Sequence, residues 1–240
     1  MKKSTTKNLF ERIDQGVKEG VARADLPDVQ MVVEYTAPGS QQFDDMQIYM
    51  VNKFGTERGG ELMAQGSKLP PFILAVMSVL NRRLSRGQVS LQSADQGVQP
   101  RIELNSYSHP EDMRRMVDGV RFCWKIGHSP SLQELCTGTA FPTPETVADD
   151  TLLEEYVRNH SATIWHPVGT CKMGPDSDPA AVVDQYFQVR GVENLRVVDA
   201  SAMPNITSKN PNLTCIVFAE RAAEWTKSGR GRRTVAARLA

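Results

Sequence analysis

The 240-residue sequence has no long apolar run, no excess of either charge and no paired-cysteine motif, and each absence removes a class of function. The longest apolar stretch, Phe72 to Leu80 with Ser78 inside it, falls far short of the ~18 to 20 residues that a membrane-spanning helix requires, and it reads as core. Lys plus Arg equals Asp plus Glu at 28 each, so no basic field exists to attract nucleic acid or an anionic membrane from a distance. Cys123, Cys136, Cys171 and Cys215 include no C-x-x-C pair, and the four histidines show no H-E-x-x-H or H-x-x-x-H spacing. No metal site is therefore expected. There is no G-x-S-x-G nucleophile turn. The nearest approach to a dinucleotide fingerprint, Gly229-Arg230-Gly231-Arg232-Arg233-Thr234, lacks its third glycine and follows no strand. Nothing at the N-terminus has the apolar centre of a signal peptide, so a reducing cytoplasm is the expected compartment.

What is present is an ordinary globular composition, 40% hydrophobic and 23% charged, enough for one large core or two modest ones. Residues 1–24 are polar, with Leu9, Phe10, Ile13 and Val17 spaced for one short helix. Val29 to Tyr35 is rich in β-branched residues and closes on Pro38-Gly39, which predicts a strand and a turn. Residues 39–70, with Gly55, Gly59, Gly60 and Gly66, are expected to be irregular. Phe72 to Leu80 has no polar face, so periodicity alone leaves helix and strand open. Gln88 to Gln92 and Arg101 to Leu104 alternate polar and apolar around Asp95-Gln96-Gly97, a hairpin pattern. Ser108-x-x-Glu111 is a capping box ahead of a helix carrying Met113, Met116, Val117, Val120 and Trp124. A second helix is predicted over about 147–160 with Leu152, Leu153, Tyr156 and Val157 on one face. Short strands are expected at Val182-Val183 and Leu195 to Asp199, and a final helix from Asn210-Pro211 to about Trp225. The basic tail, 226–240, is expected to be disordered.

One stretch carries a specific pattern. Trp165-His166-Pro167-Val168-Gly169-Thr170-Cys171-Lys172-Met173-Gly174 is followed in order by Val183-Asp184, by Val189 to Ser201, by Met203-Pro204 and by Asn210-Pro211-Asn212. Upstream stand Ser85-Arg86-Gly87-Gln88-Val89-Ser90-Leu91 and Ser93-Ala94-Asp95. This series resembles the C-terminal part of the glucose-methanol-choline (GMC) oxidoreductases, closely over residues 84–225 and loosely over 25–83. The βαβ unit with G-x-G-x-x-G that opens such enzymes is absent from the 240 residues.

The resemblance implies an α+β fold, an incomplete two-domain flavoprotein. Residues 25–160 would supply part of the substrate-domain sheet with its helices, and 161–225 the C-terminal segment of a Rossmann-like FAD domain. It favours strand for Phe72 to Leu80, paired with the Gln88 strand. It implies FAD as cofactor and a small alcohol as substrate, with a separate or missing N-terminal half as the partner that holds the nucleotide. His166 would be the general base, since a neutral imidazole near pH 7 can take a hydroxyl proton. Asn210 would hydrogen-bond the substrate oxygen without titrating, though Asn before Pro is also a preferred helix cap. Asp199, Ala200, Pro211, Asn212, Leu213 and Thr214 would lie against the flavin, and Ile164 would line the substrate pocket. Asp199 could equally be a turn residue. Two other readings stay open: a non-catalytic interaction remnant, and a thiol hydrolase using Cys171.

Overall fold

The computed structural model describes residues 29–51, 74–136, 138–139 and 141–230. The helix predicted around Leu9 to Val17, the segment 52–70 and the last ten tail residues lie outside them. The chain divides into two compact units, one drawn from within Met1–Pro38, Met46–Val79 and Arg115–Ala162, the other from within Gly39–Asp45, Leu80–Arg114 and Thr163–Ala240. Among the described residues no helix is long and apolar enough to cross a membrane.

The first unit is built on a sheet of order β1-β2-β3, formed by Val29–Tyr35, Met46–Val51 and Ala75–Leu80. β1 and β2 run antiparallel, with Tyr35 opposite Met46 and a bulge between Val29 and Met31. β2 corrects the expectation that residues 39–70 are irregular throughout: Met46, Gln47 and Ile48 are all buried, as suits a strand with a neighbour on each side. The glycines that suggested a loop all lie beyond it. β3 confirms strand over helix for the apolar run, but it joins β2 and not the Gln88 strand.

Helix α1, Pro110–Gly127, buries Met113, Met116 and Val117, the face its 3.6-residue spacing predicts. Its opening differs from the predicted box. The Glu111 N–H donates to His109 Nδ1 at 3.2 Å, and the Glu111 carboxylate grips Arg114. Gly119 marks a close approach to the sheet, because a Cβ there would stand 2.1 Å from Ser78 Oγ and 2.8 Å from Met46 Cε. In an open helix, replacing glycine would gain up to about 1 kcal/mol of helix propensity. Here overpacking dominates, and Gly119→Val is expected to destabilise the unit by about 1 to 3 kcal/mol, read as a lower urea midpoint at unchanged slope.

After the short helices α2, Pro130–Gln133, and α3, Pro144–Ala148, comes α4, Asp150–His160. The single helix expected over 147–160 is thus broken at Asp149, whose extended backbone ends α3 and whose side chain accepts the Leu152 N–H to cap α4. Leu153 and Val157 are buried, whereas Leu152 is exposed. Arg121 ties α1 to this region through Asp150 and the Val147 carbonyl. Cys123 is buried in the unit, and desolvation pushes its thiol up to about 12, which keeps it un-ionised and inert.

In the second unit the Gln88–Ser90 and Arg101–Glu103 strands, β4 and β5, form the expected antiparallel hairpin. The last helix, α5, spans Asn212–Ser228. Its Phe218, Ala222 and Trp225 recur on one face and pack with Val183, Phe187 and Ala202, flanked by Met173, Val182, Val189, Val197 and Val198. Phe187 holds the centre, with ring centroids 4.9 Å from Phe218 and 5.9 Å from Trp225. Its φ of 62° is left-handed, a conformation that costs a non-glycine residue about 1 kcal/mol or more. The buried Asp184 carboxylate imposes that turn by accepting the Tyr186 and Gln188 N–H groups, and burial of the Phe187 ring offsets the strain. The strands expected at Val182-Val183 and Leu195 to Asp199 are reduced to isolated bridges, Met173 to Val183, Val183 to Val189 and Gln188 to Arg196. Such a short, tightly turned chain has no room for a longer ladder.

Candidate active site

The residues singled out from sequence all lie in the second unit, on three consecutive pieces of chain. The first is the histidine segment. Thr163 Oγ1 accepts the Trp165 N–H at 3.1 Å, and Trp165, 78% exposed, takes a left-handed φ of 59°. Strain of this kind in a residue next to a candidate base is typical of functional loops. Ile164 and His166 are half-buried. Burial lowers the His166 pKa from the ordinary histidine value of 6.5, because a partly dry site penalises the imidazolium. The ring is therefore mostly neutral, and able to accept a proton, at pH 7.

The second piece is the turn Asp199 to Met203, with a 3₁₀ turn over Ala200–Ala202. Backbone hydrogen bonds lay the histidine segment along it: Gly169 N–H to Ala200 O at 3.3 Å, Cys171 N–H to Ser201 O at 2.9 Å and Met173 N–H to Ala202 O at 2.9 Å. Gly169 has a φ of 87°, and a Cβ there would sit 3.3 Å from Met203 O, so the turn wraps closely around a residue that only glycine fits well. On its other side the segment is held by Val182 N–H to Lys172 O and Gly174 N–H to Val183 O, and by Lys172 on Asp178 at 2.7 Å. The Asp199 side chain caps its own turn, accepting the Ser201 N–H at 2.8 Å and the Ser201 hydroxyl. Its carboxylate thus has a local structural task.

The third piece is the head of α5. The helix begins at Asn212 with Pro211 in the cap position, one residue later than an Asn210 cap with Pro211 as first helical residue. Pro211 is buried, Thr214 half-buried, and Asn210, Asn212 and Leu213 exposed. Pro211 has no side-chain acceptor, and the first N–H groups of any helix lack intrahelical partners. The loop Pro204 to Asn210 leads from the turn to this helix, and sequence reasoning missed what holds it. Asn81 Nδ2 donates to Ser208 O at 2.9 Å, and Arg86 Nη2 donates to Asn205 Oδ1 at 2.7 Å. Nothing in the spacing around Asn81 signals this contact, which spans more than half the chain.

Among the described residues no group of three or more His, Cys, Asp or Glu side chains is assembled to hold a metal. Cys171 is half-buried, and its N–H is engaged with Ser201 O.

Comparison with known proteins follows the same pieces. The GMC oxidoreductase profile matches residues 84–219, more than half of the chain. The chain belongs to the GMC oxidoreductase family. It is 44% identical over 140 residues to an alcohol dehydrogenase [acceptor] of Pseudomonas putida, covering 58% of this chain and 25% of that protein. It is 41% identical over 143 residues to oxygen-dependent choline dehydrogenase 1 of Chromohalobacter salexigens, covering 60% and 25%. The chain thus spans about a quarter of the length of these relatives. Among solved structures, a formate oxidase of Aspergillus oryzae RIB40 superposes with a TM-score of 0.69 at 24% identity, covering 91% of this chain and 35% of that one. A pyridoxine 4-oxidase from Mesorbium loti gives 0.67 at 22% identity, covering 83% and 38%. These two likenesses show the fold alone, an α+β partial domain.

Proposed function

We propose that the chain is the catalytic end of an FAD-dependent enzyme that oxidises a primary or secondary alcohol to an aldehyde or ketone. The observation that carries this reading is the backbone ladder that lays the His166 segment along the Asp199 to Ala202 turn, one loop ahead of the α5 N-terminus. The family and the alcohol-oxidising relatives support it.

The residues present suit the flavin ring better than its nucleotide. The N–H groups of Asn212, Leu213 and Thr214 open α5, and a helix N-terminus favours the negative charge that develops on a reduced ring. Ala200 would give it an apolar surface, and the buried Pro211 would fix the start of the helix that faces it. Asp199 would contribute through the turn it caps. The 240 residues hold no glycine-rich turn opening onto a helix, the usual cradle of a pyrophosphate, so this reading calls for a nucleotide-binding half, missing or separate, to complete the FAD site. FAD, when bound, supplies the acceptor for a hydride.

In the reaction, a neutral ring nitrogen of His166 takes the hydroxyl proton. The carbon-bound hydrogen departs with its electron pair as the carbonyl forms, so the alcohol loses two electrons and two hydrogens. Asn210 donates from its amide to the substrate oxygen and holds it in line, keeping the same charge throughout. Ile164, apolar and two residues before the base, lines the pocket and helps exclude water.

The test is assembly of the chain with the nucleotide-binding half of a relative such as the Pseudomonas putida enzyme, followed by anaerobic addition of alcohols, choline among them. A yellow complex that bleaches on addition is expected. A complex that keeps its flavin and bleaches with no alcohol would point to the interaction role instead.

A further inference from the structure

The loop Pro204 to Asn210 joins the Ala200–Ala202 turn to α5, and Asn210 stands at its end. Thr207 Oγ1 donates to Lys209 O at 2.6 Å within it, and three further contacts reach it from chain more than a hundred residues away. Asn81 is only 3% exposed. Its backbone N–H donates to Asp45 O at 2.9 Å, and the Asp45 carboxylate in turn accepts the Ser40 hydroxyl at 2.6 Å. Asn81 is thus fixed at its backbone before its side chain reaches Ser208 O at 2.9 Å. Arg86 clamps Asn205 at 2.7 Å, while its Nη1 is itself held by the Arg83 carbonyl at 2.7 Å. Lys209 meets Asp44 at a longer 3.4 Å.

We propose that Asn81 is a positioning residue for the oxidation: with Arg86 as a surface clamp, it fixes Ser208 and thereby the place of Asn210 at the head of α5. The physical case is one of leverage. A loop tethered at the Asn205 side chain and at the Ser208 backbone carbonyl has little freedom left by Asn210, and an amide that must meet a substrate oxygen in hydrogen-bond geometry loses effect with displacements of about 1 Å. A buried donor such as the Asn81 amide is costly to leave without an acceptor, so the tether and the loop conformation stabilise each other. The inference rests on the reading of Asn210 as the substrate-oxygen donor.

Two variants test it. Asn81→Asp keeps the side-chain shape but sets a carboxylate oxygen against the Ser208 carbonyl. Arg86→Ala removes the clamp at an exposed site that leaves the core intact. In the chain itself, amide hydrogen exchange over residues 204–212 is expected to rise about tenfold in Asn81→Asp, the weight of one buried hydrogen bond. It should rise several-fold in Arg86→Ala, with exchange in α1 unchanged in both. In the flavin-loaded assembly each variant should slow flavin reduction, by about tenfold for Asn81→Asp, without moving its kinetic pKa. Neither should slow it further once Asn210 is alanine, because the residue they position is gone. Unchanged exchange over 204–212 would overturn the tether, as would a loss that multiplies in full with that of Asn210→Ala. If Asn210→Ala alone leaves reduction untouched, the site reading has failed and the inference with it. If Asn210→Ala slows reduction and Asn81→Asp adds its whole effect on top, only the positioning role has failed.

Discussion

Replacement of His166 by alanine is expected to lower the rate of flavin reduction in the assembled enzyme by about 10² or more, within the range that a positioned general base contributes. FAD content should not change, because the groups assigned to the flavin lie on the Ala200 turn and at the α5 N-terminus. The pH profile adds a second signature. Burial holds the His166 pKa below 6.5, so the acid limb of the wild-type rate should be centred below that value. The alanine variant should lose this limb. The same shift has a consequence for folding. The unfolded histidine, with a pKa of about 6.5, binds a proton more readily than the folded one, so stability is unaffected well above 6.5 and is lost as pH falls through the folded pKa. Anaerobic stopped-flow reduction across pH 5 to 8 reads the rate and its acid limb, and urea midpoints over the same range read the stability. Reduction at wild-type speed in the variant would remove His166 from the mechanism.

The second large effect concerns the 240 residues by themselves: purified alone, they should be colourless, fail to oxidise any alcohol offered, and self-associate. The first two outcomes follow from the want of a pyrophosphate cradle, without which the few contacts to a flavin ring cannot offset the loss of ligand freedom. The third follows from the surface of the second unit. Phe218, Ala222 and Trp225 turn one face of α5 to the core, while Leu213, Ile216 and Val217 leave another 50–70% exposed. Leu195 is 48% exposed as well. Burying what remains exposed of each would stabilise by roughly 1 to 2 kcal/mol, a drive toward an apolar partner. Supplying the nucleotide-binding half should bring flavin absorbance and a monodisperse species together. Stoichiometric FAD in the monomeric chain alone would refute the assignment of a partner half.

Local patterns determined much of this protein. Val29 to Tyr35, the hairpin around Asp95-Gln96-Gly97 and the Met113 to Val117 face of α1 were legible because each depends on a periodicity or a turn chemistry confined to a few neighbours. The family was legible for another reason: the ordered series from Trp165 to Asn212 is specific as a string, whatever its conformation. Where a single residue decides between continuations, local reading faltered. Asp149 could have continued a helix, but it breaks one and caps the next. Leu195 to Val198 looks like a strand, yet its partners are single bridges, since ladder length depends on what lies opposite.

Only the tertiary structure decided which residues meet. Met46 to Val51 became a strand through pairing with β1 and β3, and Ala75 to Leu80 found its neighbour in β2, because strand pairing is a choice among distant segments that composition does not encode. The turn after Asp199 and the tether from Asn81 to Ser208 are of the same kind. The sequence supplies the imidazole, the amide and the glycine that permits close approach. Their use as a site depends on backbone hydrogen bonds between segments remote along the chain, whose geometry is set by the packing of Val183, Phe187, Ala202 and Ala222.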